Sequence, residues 1–143
     1  MVAVRWREGL VFEGGAAGRP GVVVDGDTKI ATSPVELLLV AAATCTAADI
    51  VGILEKSRVQ LRTLEIGVKG TRREEHPRRY TAIHFDFTVA GEGADEAKVR
   101  RAIDLSIEKY CSVLASLDRV QHLLRNDFRA HKRGPGCSPA YRR

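Results

Sequence analysis

The sequence predicts an α+β fold in which an antiparallel sheet wraps around two long central helices. Three observations carry that prediction. From Ser33 to about Ser57 the chain is apolar on every side, with Leu37, Leu38, Leu39, Val40, Ile50 and Leu54 set among alanines, so it reads as a helix buried all round. From about Asp95 to Leu117, Val99, Ile103, Ile107, Cys111 and Leu114 recur at helical spacing and define a second helix with one inward face. Short alternating stretches flank both, giving the order β-β-β-α-β-β-α-β.

The elements follow in turn. Val2–Glu8 and Leu10–Glu13 read as strand pieces broken at Gly9, and the glycine-rich stretch from Gly14 to Gly21, closed by Pro20, reads as a flexible loop. Val22–Val24 continues as a strand into Asp25-Gly26-Asp27, a hairpin signal. Ser33 opens the first helix with agreeing signals: a capping side chain, Pro34 at the first helical position, and Glu36 placed to reach back to the Ser33 amide. Leu61–Lys69 reads as a strand, and Thr71–Arg79, which contains Pro77, as a charged connector. Tyr80–Ala90 alternates clearly, with Ile83, Phe85, Phe87 and Val89 on one face and Ala82, His84, Asp86 and Thr88 on the other. It is expected to pair with Leu61–Lys69. Gly91-Glu92-Gly93 makes a turn, and Asp95 or a neighbour caps the second helix. A short helical piece near Asp118–His122 and a strand near Leu124–Ala130 follow. The expected organisation is one domain over residues 1–132 and a loose basic tail over 133–143.

The chain of 143 residues is long enough for one hydrophobic core. Its net charge of +5 is local: Arg125, Arg129, Lys132, Arg133, Arg142 and Arg143 against Asp127 account for all of it. A basic tail without a basic folded face is not the pattern of a nucleic-acid binder, so no nucleic acid is expected as partner. The first helix is nearly long enough to span a membrane, but Asp49 in its middle and its alanine content argue for a core helix and no membrane. The first residues alternate like a strand and lack the apolar run of a secretory signal. Three cysteines without a CxxC, and histidines (His76, His84, His122, His131) without ligand spacing, argue against a zinc site, so no metal and no cofactor are expected. A reducing cytoplasm is the expected setting, where any disulfide is transient.

Cys45 and Cys111 are the residues that matter most. On periodicity alone each reads as a small buried hydrophobe. If the two long helices pack on one another, however, two thiols meet in a sheltered interior, which is what a dithiol redox site requires. Cys137 sits in the basic tail as a bystander. Asp49, one turn beyond Cys45, either repels a thiolate or pairs with a cation from the partner subunit. A helix apolar all round also needs more cover than one sheet and one helix provide, so a homodimer is expected.

The residues carry a resemblance as well. Ser33-Pro34-Val35-Glu36-Leu37-Leu38-Leu39, followed by Ala42-Ala43-Thr44-Cys45-Thr46-Ala47 and Asp49-Ile50-Val51, resembles the first-helix signature of the OsmC/Ohr family, the osmotically inducible and organic-hydroperoxide-resistance proteins. Tyr110-Cys111-Ser112-Val113 is similar to that family's second cysteine motif. Trp6, Glu8-Gly9-Leu10 and Phe12, then His76-Pro77-Arg78 and the alternation Ile83 to Val89, resemble the OsmC-like branch. The resemblance implies an intertwined homodimer with active sites at the subunit interface. It also implies a thiol peroxidase acting on organic hydroperoxides, in which Cys45 attacks the peroxide and Cys111 closes a disulfide with it. A dithiol reductant such as a lipoyl protein regenerates such enzymes. The peroxidase branches place a glutamate ten residues before the attacking cysteine, working with an arginine. Here that position is Val35, Glu36 lies one residue later, and Arg19 is the nearest counterpart of the arginine. The alternative reading of the same resemblance is a redox-sensing or small-molecule-binding member with little peroxide turnover.

Overall fold

The computed structural model describes residues 1–117 and the backbone of a strand at Leu124–Ala130. The helical piece expected near Asp118–His122 and the tail from residue 133, with Cys137, lie outside the described residues. Strands β1 (Val2–Glu8), β2 (Val11–Ala16) and β3 (Val22–Asp25) form an antiparallel sheet in that order. The expected hairpin at Asp25-Gly26-Asp27 does not lead to another strand. The buried Asp25 carboxylate instead accepts the backbone N–H groups of Asp27 (2.8 Å), Lys29 (2.8 Å) and Ile30 (3.0 Å) and rolls the chain toward the first helix. Those amides, Ile30 foremost, hold the Asp25 carboxyl below its ordinary range.

Helix α1 (Pro34–Lys56) starts where the capping signals place it. The Ser33 hydroxyl accepts the Glu36 N–H (3.2 Å), and the Glu36 carboxylate accepts the Ser33 N–H (2.9 Å) and hydroxyl (2.7 Å), closing a capping box. At the other end the Arg58 N–H reaches Glu55 O (2.9 Å) and the Val59 N–H reaches Leu54 O (3.0 Å), with Leu54 and Val59 both buried. That is a Schellman closure. Its left-handed position is filled by Arg58 at φ 58°, where glycine carries no Cβ penalty. Arg58→Gly is expected to raise stability by roughly 0.5–1 kcal/mol, measured as a higher urea midpoint at unchanged slope.

The second sheet has the order β4 (Gln60–Arg72), β5 (Tyr80–Glu92), β6 (Leu124–Ala130). β4 and β5 pair antiparallel, as expected, but β6 runs parallel to β5, so the prediction of one antiparallel sheet is corrected to two three-stranded sheets, the second mixed. The reason is topological: after the β4–β5 hairpin the chain crosses back through helices before it adds a strand, and such a crossover produces a parallel neighbour. The β5 alternation holds. Ile83, Phe85, Phe87 and Val89 are buried against the helices, with the Phe85 and Phe87 rings 5.9 Å apart. Tyr80, also buried, donates its hydroxyl to Val35 O (3.0 Å) and so ties the start of β5 to the start of α1. Its ring lies over Gly70 of β4, where an added Cβ collides with Tyr80 Cε1 and Cδ1. Gly70→Ala should therefore cost about 1–3 kcal/mol through displacement of that ring, visible as a lower thermal midpoint that Tyr80→Phe alone does not reproduce in full.

The second long helix is interrupted. Helix α2 (Glu96–Leu105), capped by Asp95 accepting the Lys98 N–H (2.8 Å), gives way to a π-helical turn at Ser106–Tyr110 and then to a short helix α3 (Ser112–Ser116). Val99, Ala102, Ile103, Ser106, Cys111 and Leu114 are its buried residues. α1 is also less covered than its composition predicts. Only Ala42, Thr46, Ile50 and Leu54, a single stripe spaced four residues apart, are fully buried, while Leu38 and Val40 remain 43% and 48% exposed. By length and composition α1 is apolar enough to cross a membrane, but here it packs on β4 and on α2 as the central helix of the core. None of the buried apolar residues comes from the first sheet, whose β1 strand is exposed along its full length.

Candidate active site: a dithiol beside a carboxylate

The fold brings Cys45 and Cys111 together. Cys45 sits on α1, and Asp49, one turn later, projects from the same face because residues four apart stack on a helix. Cys111 arrives from the π-helical turn. Its N–H bonds to Ser106 O (2.8 Å), the i→i+5 closure that widens the turn, and its backbone is extended at φ −68°, ψ 97°. The two sulfurs and an Asp49 carboxylate oxygen all lie within 4.8 Å of one another, and both cysteines are free thiols. The packing of the helices expected from periodicity is thus realised. The continuous helix through Cys111 is not, since Cys111 begins α3 rather than lying inside a helix.

Two hydroxyls frame the cluster. Thr46 Oγ1, fully buried on α1, donates to Cys111 Sγ (3.6 Å), and Ser106 Oγ, also fully buried, donates to Asp49 Oδ2 (2.8 Å). The thiols differ in their surroundings. Cys111 is 3% exposed, whereas Cys45 is half-buried, so the sheltered interior expected for both belongs to Cys111 alone. Burial pushes the Cys111 thiol above its ordinary range, partly offset by the Leu114 amide and the Thr46 hydroxyl; its contact with the Cys45 sulfur pushes the same way as burial.

A cavity of about 450 Å³ opens beside Asp49, lined by Ile53, Lys56, Arg101, Leu105 and Tyr110 among others. Lys56 and Arg101 are the cations that sequence reasoning missed. The spacing Asp49–Lys56 on one helix face was a usable signal for the first, but only the helix crossing reveals Arg101. Arg19 lines a different groove, on the first sheet, with Arg5 and Glu13. Glu36 is occupied by the capping box, whose hydrogen bonds from Ser33 lower its carboxyl. Val35 gives its backbone carbonyl to Tyr80 and packs its side chain against the core.

A buried thiol against a half-buried one, where α1 meets the interrupted second helix, defines a class: a mixed α and β protein with a dithiol at the crossing of its helices. Residues 25–122 match the family model described as OsmC-like protein. The chain belongs to the OsmC-like family. It is 42% identical to Protein YhfA of Escherichia coli strain K12 over 121 residues, which is 84% of this chain and 90% of that one. Among solved structures, a protein of Aquifex aeolicus VF5 superposes with TM-score 0.82 at 29% identity, covering 92% of this chain and 95% of its own. The organic hydroperoxide resistance protein OhrB of Bacillus subtilis shares the fold at 14% identity, TM-score 0.58, covering 90% of this chain and 96% of its own.

Proposed function

We propose that the protein is a thiol peroxidase that reduces organic hydroperoxides through a Cys45/Cys111 dithiol–disulfide cycle. The observation that carries the reading is the approach of two free thiols within 4.8 Å in an environment of unequal exposure. Cys45, the more accessible sulfur, is the attacking group: its thiolate takes the terminal oxygen of the peroxide, the O–O bond breaks, and the alkoxide leaves with a proton as alcohol. The Cys45 sulfenic acid then condenses with the Cys111 thiol, forming the S–S bond and releasing water. A bond length near 2.05 Å asks the sulfurs to close by at most about 3 Å. The extended backbone at Cys111, outside any regular helix, supplies a place for that movement. An external dithiol reductant returns both thiols by exchange and leaves as its own disulfide.

The assembly we infer is an intertwined homodimer. α1 is apolar around its circumference but covered on one side only, and the sheet β1–β3 presents Val2, Val4 and Trp6 to solvent at 70%, 69% and 65% exposure. Apolar surface of that extent calls for a partner, and a second copy closes both faces while covering the half-exposed side of Cys45. A reducing compartment is the setting in which both thiols stay available.

A specific observation also favours the second reading, a redox sensor or small-molecule-binding protein with little turnover: Glu36 is committed to the capping box and Arg19 lines another groove. The two readings separate on rate. Steady-state consumption of an organic hydroperoxide with a dithiol donor, compared across wild type, Cys45→Ser and Cys111→Ser, decides between them.

A further inference from the structure

The sequence carries no metal-ligand spacing, yet folding assembles one. Cys45 and Asp49 stand one turn apart on α1, Cys111 comes from the π-helical turn, and their three ligand atoms lie within 4.8 Å of one another. Around zinc, with Zn–S near 2.3 Å and Zn–O near 2.0 Å, tetrahedral ligand atoms sit about 3.5–3.8 Å apart, so a contraction of about 1 Å forms the set. Two thiolates with one carboxylate select a soft or borderline divalent cation over magnesium or calcium. The surrounding hydroxyls match what a metal site uses around its ligands. Ser106 Oγ orients Asp49 through Oδ2 at 2.8 Å, leaving the other carboxylate oxygen to a cation. Thr46 Oγ1 fixes Cys111 Sγ from the opposite element. Cys45 and Asp49 are half-buried, so a fourth position stays open to water. Two cationic side chains, Lys56 and Arg101, line the cavity on which Asp49 opens and offset the net negative charge of a zinc with three anionic ligands.

We propose that the reduced protein binds one zinc ion per chain through Cys45 Sγ, Cys111 Sγ and an Asp49 carboxylate oxygen. Binding displaces the two thiol protons to solvent and changes no oxidation state. Forming the Cys45–Cys111 disulfide removes two electrons and two protons and abolishes both thiolate ligands, so metal and disulfide exclude one another. The site is thereby redox-gated: zinc shields the dithiol, and its oxidation releases zinc. This goes beyond the peroxidase reading and is tested without peroxide, so failure of turnover leaves it standing.

The experiment is anaerobic titration of the full-length reduced protein with zinc against a chromophoric chelator, alongside cobalt(II), whose thiolate charge-transfer band in the near ultraviolet reports sulfur ligation. Wild type is expected to take up one equivalent per chain and show that band. Cys45→Ser and Cys111→Ser should each lose the band and weaken zinc binding by well over about tenfold, Asp49→Asn by about tenfold, and Ser106→Ala by a comparable factor. Cys137→Ser should leave both readouts unchanged. Wild type oxidised with an azodicarboxamide, which accepts the two electrons and two protons of the dithiol, should bind no zinc. That arm needs no substitution and so keeps the test independent of any variant's folding. The proposal is overturned if reduced wild type takes up no zinc, if uptake survives oxidation, or if Cys45→Ser binds zinc as tightly as wild type.

Discussion

Cys45→Ser is expected to abolish hydroperoxide turnover, lowering kcat/KM by about a thousandfold or more, the order of loss seen when an enzyme's nucleophile is removed. The substitution is small and α1 carries Cys45 on a half-buried face, so the fold should persist and the thermal midpoint should move little. Cys111→Ser should behave differently. Its Cys45 still attacks peroxide, so one equivalent per chain is consumed in the first turnover. With Cys111 gone, the sulfenic acid accumulates and is trapped by a carbon nucleophile, detected as a mass adduct on the Cys45 peptide. Its steady-state rate should fall to whatever an external thiol can support. Equal, complete loss of the first turnover in both variants contradicts the assignment of Cys45 as the attacking residue. Turnover unchanged in Cys45→Ser removes the peroxidase altogether. A wild type that oxidises stoichiometrically but turns over slowly favours the sensor reading.

The second large effect concerns assembly. Leu38→Glu, on the uncovered side of α1, should shift the protein from the proposed dimer to monomer. In a two-fold interface each substitution occurs twice, and burying an unpaired carboxylate there weakens association by about thirtyfold or more, equivalent to about 2 kcal/mol. Light scattering coupled to size exclusion at micromolar concentration reads the mass directly. Because Leu38 is 43% exposed in the single chain, a monomeric protein has little reason to notice the change. Wild type that runs as a monomer, or a Leu38→Glu variant indistinguishable from wild type in mass, contradicts the dimer.

Much of the fold is legible in the residues because local signals agree. Ser33, Pro34 and Glu36 announce the start of α1, and each does in space what its chemistry allows. The β5 alternation is equally plain, since a two-residue period with Phe85 and Phe87 inward has only one register that buries them. The direction of β6 is not legible, because nothing within a strand states which way its neighbour runs. The break at Ser106–Tyr110 is hidden for a related reason. Val99 and Ile103 set a helical period that continues through Ile107 and Cys111 on paper, and the extra residue of a π turn leaves no composition mark.

The site divides along the same line. The sequence by itself determined that two thiols sit on apolar segments obliged to share one core, because helices that apolar have nowhere else to pack. Only the tertiary structure decided that Asp49 joins them, that Cys111 is the sheltered thiol and Cys45 the accessible one, and that Thr46 and Ser106 hold the cluster. Those facts depend on a helix crossing and on the widened turn preceding Cys111, and contacts across such distances are fixed by packing geometry rather than by any local pattern of residues.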